Sequence, residues 1–283
     1  MFAKISSSWE LVKASARVLA EDKELMVFPV VSAIGTLVVT AVFVIPLFTA
    51  NFLDAFFSGQ LQIFGVIALF LFYLAQYLVI FYANTALVGA ALIRLRGGDP
   101  TLADGFRIAN GHLGAIFGYA LIAATVGMIL RSLARHRNSL GRLVISLIGF
   151  AWNIATFLVV PVLVTEDIGP IEAIKRSAAL LKRTWGEQII GNFGLGAVFG
   201  LAVVALLVIW VPLILVAAIT LHSVLLAVAL AVVLALLLVL LGLLQTTLNG
   251  IYTAAVYRYA MDGEVGGFFE PALVQNAFQV RPA

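Results

Sequence analysis

The sequence predicts an all-α, polytopic helical membrane protein, with about six transmembrane helices and amphipathic helices at the membrane interface. Of its 283 residues, 63% are hydrophobic and only 11% are charged, a balance that does not suit a soluble domain of this size. Six apolar stretches approach or exceed the roughly 20 residues that a helix needs to cross the hydrocarbon layer. The net charge of +3 is small and lies in the segments that flank those stretches. These cations favour anionic lipid headgroups over nucleic acid as partners. We therefore predict one integral membrane domain over residues 1–283.

The predicted spans differ in length and polarity. The second and sixth are longer than the bilayer requires, so we expect them to tilt or to project beyond it. The third is barely long enough, and Gly114, Gly118 and Gly127 in it favour close helix packing. The sixth begins with an apolar run that suits lipid, whereas its second half is polar enough to face protein or water. The predicted spans lie near residues 26–50, 61–93, 114–130, 143–165, 188–219 and 223–257.

Three amphipathic segments, near residues 5–22, 100–113 and 170–186, are predicted as surface helices. Ser7 and Glu10 form an S-x-x-E capping box that would begin the first of them. A basic amphipathic helix lies in the plane of the interface, with its apolar side in the acyl chains. The alternative for the third segment is a solvated linker helix. Its apolar stripe consists of Ile171, Ile174, Ala178, Leu181 and Trp185.

The order of these segments indicates an internal repeat. The second and sixth spans both end in an asparagine, an A-A-x-x-R motif and a glycine, with the arginines at Arg94 and Arg258. The first and third surface helices share the pattern S-x-x-L-φ-K, at residues 8–13 and 177–182. We interpret the chain as three units, each a surface helix followed by a hairpin of two spans.

The topology is predicted from the basic residues. With six spans, both termini lie in the cytoplasm of a protein in the plasma membrane, and most basic connections are cytoplasmic. Residues 131–142 disagree, because the six-span arrangement places their four arginines outside. Either these arginines bind an external anion such as a lipid phosphate, or the third and fourth segments form a re-entrant pair. We favour crossing.

The search for catalytic chemistry is negative. The sequence contains no H-E-x-x-H helix, Walker loop, G-x-G-x-x-G turn or G-x-S-x-G elbow, and it has no cysteine. The three histidines fall in separate connections, so we predict no metal site, no cofactor and no enzymatic activity. Glu166 and Asp167 are either an ion-handling pair or favourable charge ahead of a helix N-terminus, and we favour the second interpretation.

Two sets of residues are candidates for binding. Cations of the arginine-rich loop and the third surface helix are predicted to bind anionic lipids: Arg131, Arg135, Arg137, Arg142, Lys175, Arg176, Lys182 and Arg183.

Neutral polar residues within the spans are predicted to form a groove in the cytoplasmic half, which accommodates a headgroup or a small solute. Thr246 and Tyr252 lie at similar depth in the sixth span. The alternative is simple hydrogen bonding between helices, at about 1 kcal/mol each. The groove residues are Gln76, Asn84, Asn153, Asn192, Gln245 and Asn249.

Residues 7–29, 86–109 and 159–194 resemble the hallmark segments of an uncharacterised prokaryotic integral-membrane family, described only as a domain of unknown function. The resemblance covers most of the chain up to about Gly200. The alternation of surface helices and paired spans is also distantly similar to the membrane domain of some glycerophosphodiester phosphodiesterases. Because the soluble catalytic domain of those enzymes has no counterpart here, the resemblance implies no phosphodiesterase activity.

These observations lead to three hypotheses. The first is a non-enzymatic membrane protein that binds, organises or moves amphipathic lipids. The second is a small-solute transporter or channel, although the absence of charge deep in the predicted spans argues against ion-coupled versions. The third, an intramembrane enzyme, has no motif to support it. A second copy of the chain or another membrane protein is left open as a partner.

Overall fold

The computed structural model describes residues 2–48, 62–135, 139–185, 194–264, 267–270 and 274–275. Across these residues the protein is helical and contains no strand, and six helical segments are long and apolar enough to cross a membrane. The predicted all-α polytopic class is confirmed. The helices are α1 (Phe2–Glu21), α2 (Val27–Val44), α3 (Gln62–Leu95), α4 (Leu102–Gly111), α5 (Leu113–Arg135), α6 (Ser139–Ala155), α7 (Val159–Glu166), α8 (Pro170–Trp185), α9 (Gly194–Leu215) and α10 (Val224–Asp262).

The described residues divide into two zones. One zone is a buried core in which α1, α4, α7 and α8 surround the C-terminal halves of α3 and α10. The other zone consists of the remaining parts of the spans, which expose large apolar side chains such as Leu37, Phe64 and Leu225. Apolar surface of this extent is expected to contact lipid.

The helix α10 shows both zones along its length. Its 39 residues span about 58 Å, nearly twice the hydrocarbon thickness. The side chains from Val224 to Leu240 are mostly exposed, whereas nearly all of those from Thr247 to Ala260 are buried. The polar second half of this span thus faces protein, one of the two surroundings that its composition predicted.

The helices α4 and α5 run antiparallel to α3, one after the other. Ile108 of α4 contacts Gly89 of α3. Further along, the Tyr119 ring of α5 packs against the Phe81 ring of α3, and Gly127 of α5 lies beside Tyr77 of α3. The regular helical hydrogen bonding is interrupted at His112, which caps the end of α4, and α5 begins at the next residue. The segment near 100–113 therefore follows α3 along its axis, with Gly105 and Ala109 buried. Its predicted position at the membrane surface stays a prediction.

The fourth apolar segment is a broken helix. Pro161 lies in the first turn of α7. In a continuous helix its ring would clash with the carbonyl group of the residue four positions earlier, which is Phe157. The Leu158 N–H instead donates a hydrogen bond of 3.0 Å to the Ser177 hydroxyl on α8, and both residues are fully buried. The sequence analysis predicted one continuous span in this region.

The helix α8 packs part of its apolar face on protein. Ala173, Leu180 and Leu181 are buried against α5, α6, α7 and α10. Of the stripe predicted to enter the acyl chains, Leu181 is buried, while Ile171 is 54% exposed. Neighbouring helices thus cover Leu181, whereas Ile171 is exposed and Ile174 and Ala178 are half-buried, so the surface helix with its apolar side in lipid stays a prediction.

The predicted start of the first helix is also wrong. The helix α1 begins at Phe2, so Ser7 lies within it. The carboxylate of Glu10 instead accepts a hydrogen bond of 2.8 Å from Lys13 on the next turn.

Candidate functional site

A cavity of about 300 Å³ lies between α2, α3, the break before α7, α9 and α10. Its walls are partly apolar, with Pro29, Ile80, Leu87 and Phe157 among them. Its volume falls at the lower end of the range for small-molecule pockets and equals that of about ten liquid water molecules. The polar residues that line it are Ser32, Asn84, Gln245, Thr246, Asn249 and Tyr252.

The close approach of α3 and α10 brings the asparagines together. Gln245, Asn249 and Tyr252 lie four and then three residues apart, which places them on one face of α10. Gly250 permits the approach, because a β-carbon there would lie 2.5 Å from the Leu87 side chain and 3.7 Å from the Asn84 amide oxygen. The polar face of α10 thereby meets Asn84 across the cavity.

The Tyr252 hydroxyl has no hydrogen-bond partner among the described residues, although the side chain is only 5% exposed. Its ring packs edge-on against Phe157, with 6.1 Å between ring centroids. Buried tyrosine hydroxyls usually have a partner. The Tyr252 side chain thus lines the cavity, and its hydroxyl oxygen, which is itself buried, has no described partner.

The described lining carries no Asp, Glu, Lys, Arg or His. Among the residues that the structure describes, no group of three His, Asp or Glu side chains is arranged to hold a metal ion. The arrangement offers neutral hydrogen-bond donors and acceptors beside an apolar wall.

Comparison with known sequences identifies the family of this chain. Residues 63–268, well over half of the chain, match a family of unknown function, DUF6159. The chain belongs to DUF6159. No curated protein and no solved structure matches it. The resemblance to an uncharacterised family is thereby confirmed, whereas the likeness to the membrane domain of glycerophosphodiester phosphodiesterases stays a prediction. The matched range includes every wall of the cavity except α2.

In this DUF6159 protein, the six predicted groove residues do not all lie at the cavity. Asn84, Gln245 and Asn249 line the cavity. Gln76 lies elsewhere between α2 and α3, where its amide nitrogen donates to the Thr40 hydroxyl at 2.8 Å. Asn153 is exposed on α6 and does not line the cavity. Asn192 lies outside the described residues.

The four cations predicted on α8 are not equivalent. Lys175 and Lys182 are exposed. The Arg176 side chain donates to both carboxylate oxygens of Glu166, at 2.8 and 3.1 Å. Arg183 donates to the Ala260 carbonyl oxygen at 3.0 Å. Two of the four are thus engaged within the protein.

The Glu166 carboxylate joins three helices. Besides Arg176, it accepts a hydrogen bond of 3.2 Å from the Tyr257 hydroxyl on α10. These contacts give Glu166 a role in joining helices that neither interpretation included, and the interpretation of both residues as favourable charge ahead of the helix that begins at Pro170 stays a prediction. Asp167 ends α7 in the left-handed region, at φ 45°.

The predicted arginine cluster of residues 131–142 is described only in part. The Arg131 guanidinium lies over the Tyr73 ring of α3, 5.4 Å from its centroid. Arg142 is exposed. The side chain of Arg135 and all of Arg137 lie outside the described residues. The structure thus assigns Arg131 an aromatic partner on α3.

Sequence reasoning missed Ser32 and Phe157. A signal for Ser32 exists, because Ser32, Thr36 and Thr40 recur every fourth residue and so form a hydroxyl stripe on one face of α2. For Phe157 the signal is Pro161 four residues later, which predicts a break at that turn.

Proposed function

We propose that this DUF6159 protein is a non-enzymatic membrane protein that binds the polar headgroup of an amphipathic lipid in the cavity between α2, α3, α9 and α10. One observation carries the proposal. Neutral polar side chains from α3 and α10 converge on a partly apolar cavity beside the lipid-exposed surface, and the Tyr252 hydroxyl among them has no partner in the described chain.

The distribution of polar residues favours a lipid over a water-soluble substrate. A path for polar solutes needs polar groups along its length. From Val224 to Leu244, α10 contains only aliphatic residues and glycine. The helix α9 is similarly apolar, with the Trp210 indole as its single hydrogen-bonding side chain. Toward the turn that joins α9 and α10, the cavity therefore has no polar continuation along these two helices.

The surroundings of the cavity suit acyl chains. Ile80 in its wall is 40% exposed, and Leu201 on the following turns of α9 is 56% exposed. A lipid whose headgroup occupies the cavity can thus leave its chains on apolar helix surface, where they replace other lipid without loss of hydrophobic contact. The exposed Lys175 and Lys182 would add attraction to anionic headgroups of the surrounding bilayer.

The test is lipid retention. The protein is purified in a mild detergent, and bound lipid is counted by native mass spectrometry. We expect about one retained lipid per chain, and we expect the double substitution Asn84→Ala and Asn249→Ala to lower the retained fraction roughly tenfold, because it removes two side chains that would bond to the headgroup. Asn153→Ala is the matched control, because this asparagine lies in a span outside the cavity, and its retention should be unchanged.

Two results would overturn the proposal. One is a wild-type protein that retains no lipid, or whose retention is indifferent to both cavity asparagines. The other is uptake of a polar solute into vesicles reconstituted with the protein, if that uptake needs Asn84 and Asn249 and proceeds without bound lipid. The second result would replace lipid binding with solute transport.

A further inference from the structure

We infer that the headgroup bound in the cavity is an uncharged polyol, that is, hydroxyl groups carried on glycerol or on a sugar. This inference rests on the proposed function and narrows it to a chemical class. The shared chemistry is the polyol, and its source is either the glycerol of a diacylglycerol or the sugar of a glycolipid.

The described lining of the cavity carries no charged side chain. A phosphate or carboxylate taken from water into a low-dielectric site needs an opposite charge to offset its desolvation. A quaternary ammonium needs an anion or a cage of several aromatic rings. The cavity offers neither among its described residues, because it is lined by amides, hydroxyls and aliphatic groups, with two aromatic rings, Phe157 and Tyr252.

The carboxamides of the lining combine hydrogen-bond donors with acceptors. Asn84, Gln245 and Asn249 each present two N–H donors and one carbonyl acceptor. A hydroxyl group both donates and accepts, so adjacent hydroxyls on a polyol can pair with both ends of one carboxamide. A phosphate would use only the donors and would leave the amide oxygens facing negative charge.

Tyr252 adds a buried hydroxyl that has no described partner. Its side chain is 5% exposed, it lines the cavity, and its oxygen has no partner among the described residues. A neutral phenol can donate to one ligand hydroxyl and accept from another. The volume of about 300 Å³ admits a glycerol unit or a single sugar ring with some water.

The experiment compares lipids that share acyl chains and differ in headgroup. Delipidated protein in detergent is titrated with diacylglycerol, glucosyl-diacylglycerol, phosphatidylglycerol and phosphatidic acid, and with free glycerol and glucose. Binding is measured by the rise in melting temperature and by native mass spectrometry. We expect one of the two uncharged lipids to bind at least about tenfold more tightly than either anionic lipid, and the better of the two identifies the source.

A matched pair of tyrosines tests the residue. Tyr252→Phe removes a hydroxyl without a described protein partner, so the melting temperature of the lipid-free protein should be unchanged while affinity for the uncharged lipid falls roughly five- to tenfold. Tyr257→Phe removes a hydroxyl on the same helix that bonds to Thr165 at 2.5 Å and to Glu166 at 3.2 Å. It should lower the melting temperature and leave affinity for the lipid unchanged.

The outcomes separate the inference from the proposed function. Tighter binding of an anionic lipid that depends on Asn84 and Asn249 would overturn the polyol and keep the lipid. Equal affinity for free glycerol or glucose would keep the polyol and overturn the lipid as its carrier. Binding of none of these molecules would overturn both.

Discussion

Two arginines hold the ends of the long helices together. The Arg94 guanidinium, at the end of α3, binds Asp22 through two nitrogens, one of them at 2.6 Å, and Asp99 at 2.5 Å. The Arg258 side chain donates to the carbonyl oxygen of Leu95, the last residue of α3. These are the two arginines of the repeated A-A-x-x-R motif. The motif therefore places a cation where free carbonyl groups and acidic residues meet.

We expect Arg94→Met to destabilise the protein by about 3–5 kcal/mol, because it leaves the Asp22 carboxylate, whose side chain is 7% exposed, without its counter-charge. The free energy of unfolding in detergent measures this change. Lys13→Met is the control, since it removes an exposed ion pair with Glu10 that contributes at most about 1 kcal/mol. Equal effects of the two substitutions would contradict a buried role for Arg94.

We expect Ser177→Ala to cost about 1–3 kcal/mol, since it leaves the buried Leu158 N–H without an acceptor at the break in the fourth span. The same unfolding measurement applies. Ser146→Ala on α6 is the matched control, because this serine is exposed, and its effect should stay within about 0.5 kcal/mol. A neutral Ser177→Ala would show that the break does not depend on α8.

At the scale of the elements, glycines decide how closely the helices approach. A β-carbon on Gly105 of α4 would meet the Phe28 ring and would lie 2.9 Å from the Ala86 carbonyl oxygen of α3. The backbone oxygen cannot move without shifting α3. Gly89 on α3 is similarly close to Ile108. These contacts explain why the segment after α3 folds back along it.

Gly105→Ala should therefore destabilise the protein by roughly 1–3 kcal/mol through overpacking. Gly111→Ala, in the same helix, meets no atom within 4 Å. It should be neutral, or should stabilise by up to about 1 kcal/mol through higher helix propensity. Thermal unfolding of the two variants side by side measures the difference, and a Gly105→Ala variant as stable as Gly111→Ala would refute the close packing of α3 and α4.

At the scale of the whole molecule, the contacts of α5 bear on the topology. The helix follows α3 without a described break from Leu113 to Arg135, and Arg131 reaches the Tyr73 ring. A helix of 23 residues is about 35 Å long, enough to cross the hydrocarbon layer. This geometry supports crossing over a re-entrant pair.

Sidedness can be measured directly, because the chain has no cysteine. A cysteine in place of Ser139 should react with a membrane-impermeant maleimide added outside intact cells, since six crossings place it there. A cysteine at Ser223 in the turn before α10 should react equally. A cysteine at Asp99, whose side chain is 91% exposed between α3 and α4, should be protected until the cells are opened. Protection of position 139 with labelling of position 223 would restore the re-entrant arrangement.

Much of the architecture could be predicted because it depends on local properties. Apolar runs longer than about 18 residues indicate spans whatever surrounds them. The six candidate spans of the structure accordingly overlap the six predicted ones. Pro161 indicates the break at Phe157, but we did not predict that break from it. For α8, periodicity shows that a face is apolar and does not show whether lipid or protein covers it, and the structure covers Leu181 but leaves Ile171 exposed.

The helical class, the number of long apolar helices and the neutral character of their polar residues follow from composition and periodicity along the chain, so they could be derived before the fold was known. Which polar residues meet depends on how the helices pack. Asn84 and Asn249 share a cavity because Gly250 lets α10 approach Leu87, while Gln76 is engaged by Thr40 and Asn153 stays outside. The surroundings of these four side chains differ because the helix that packs beside a side-chain amide determines its partner. Such helix contacts join residues far apart in the chain, so they cannot be derived from local sequence.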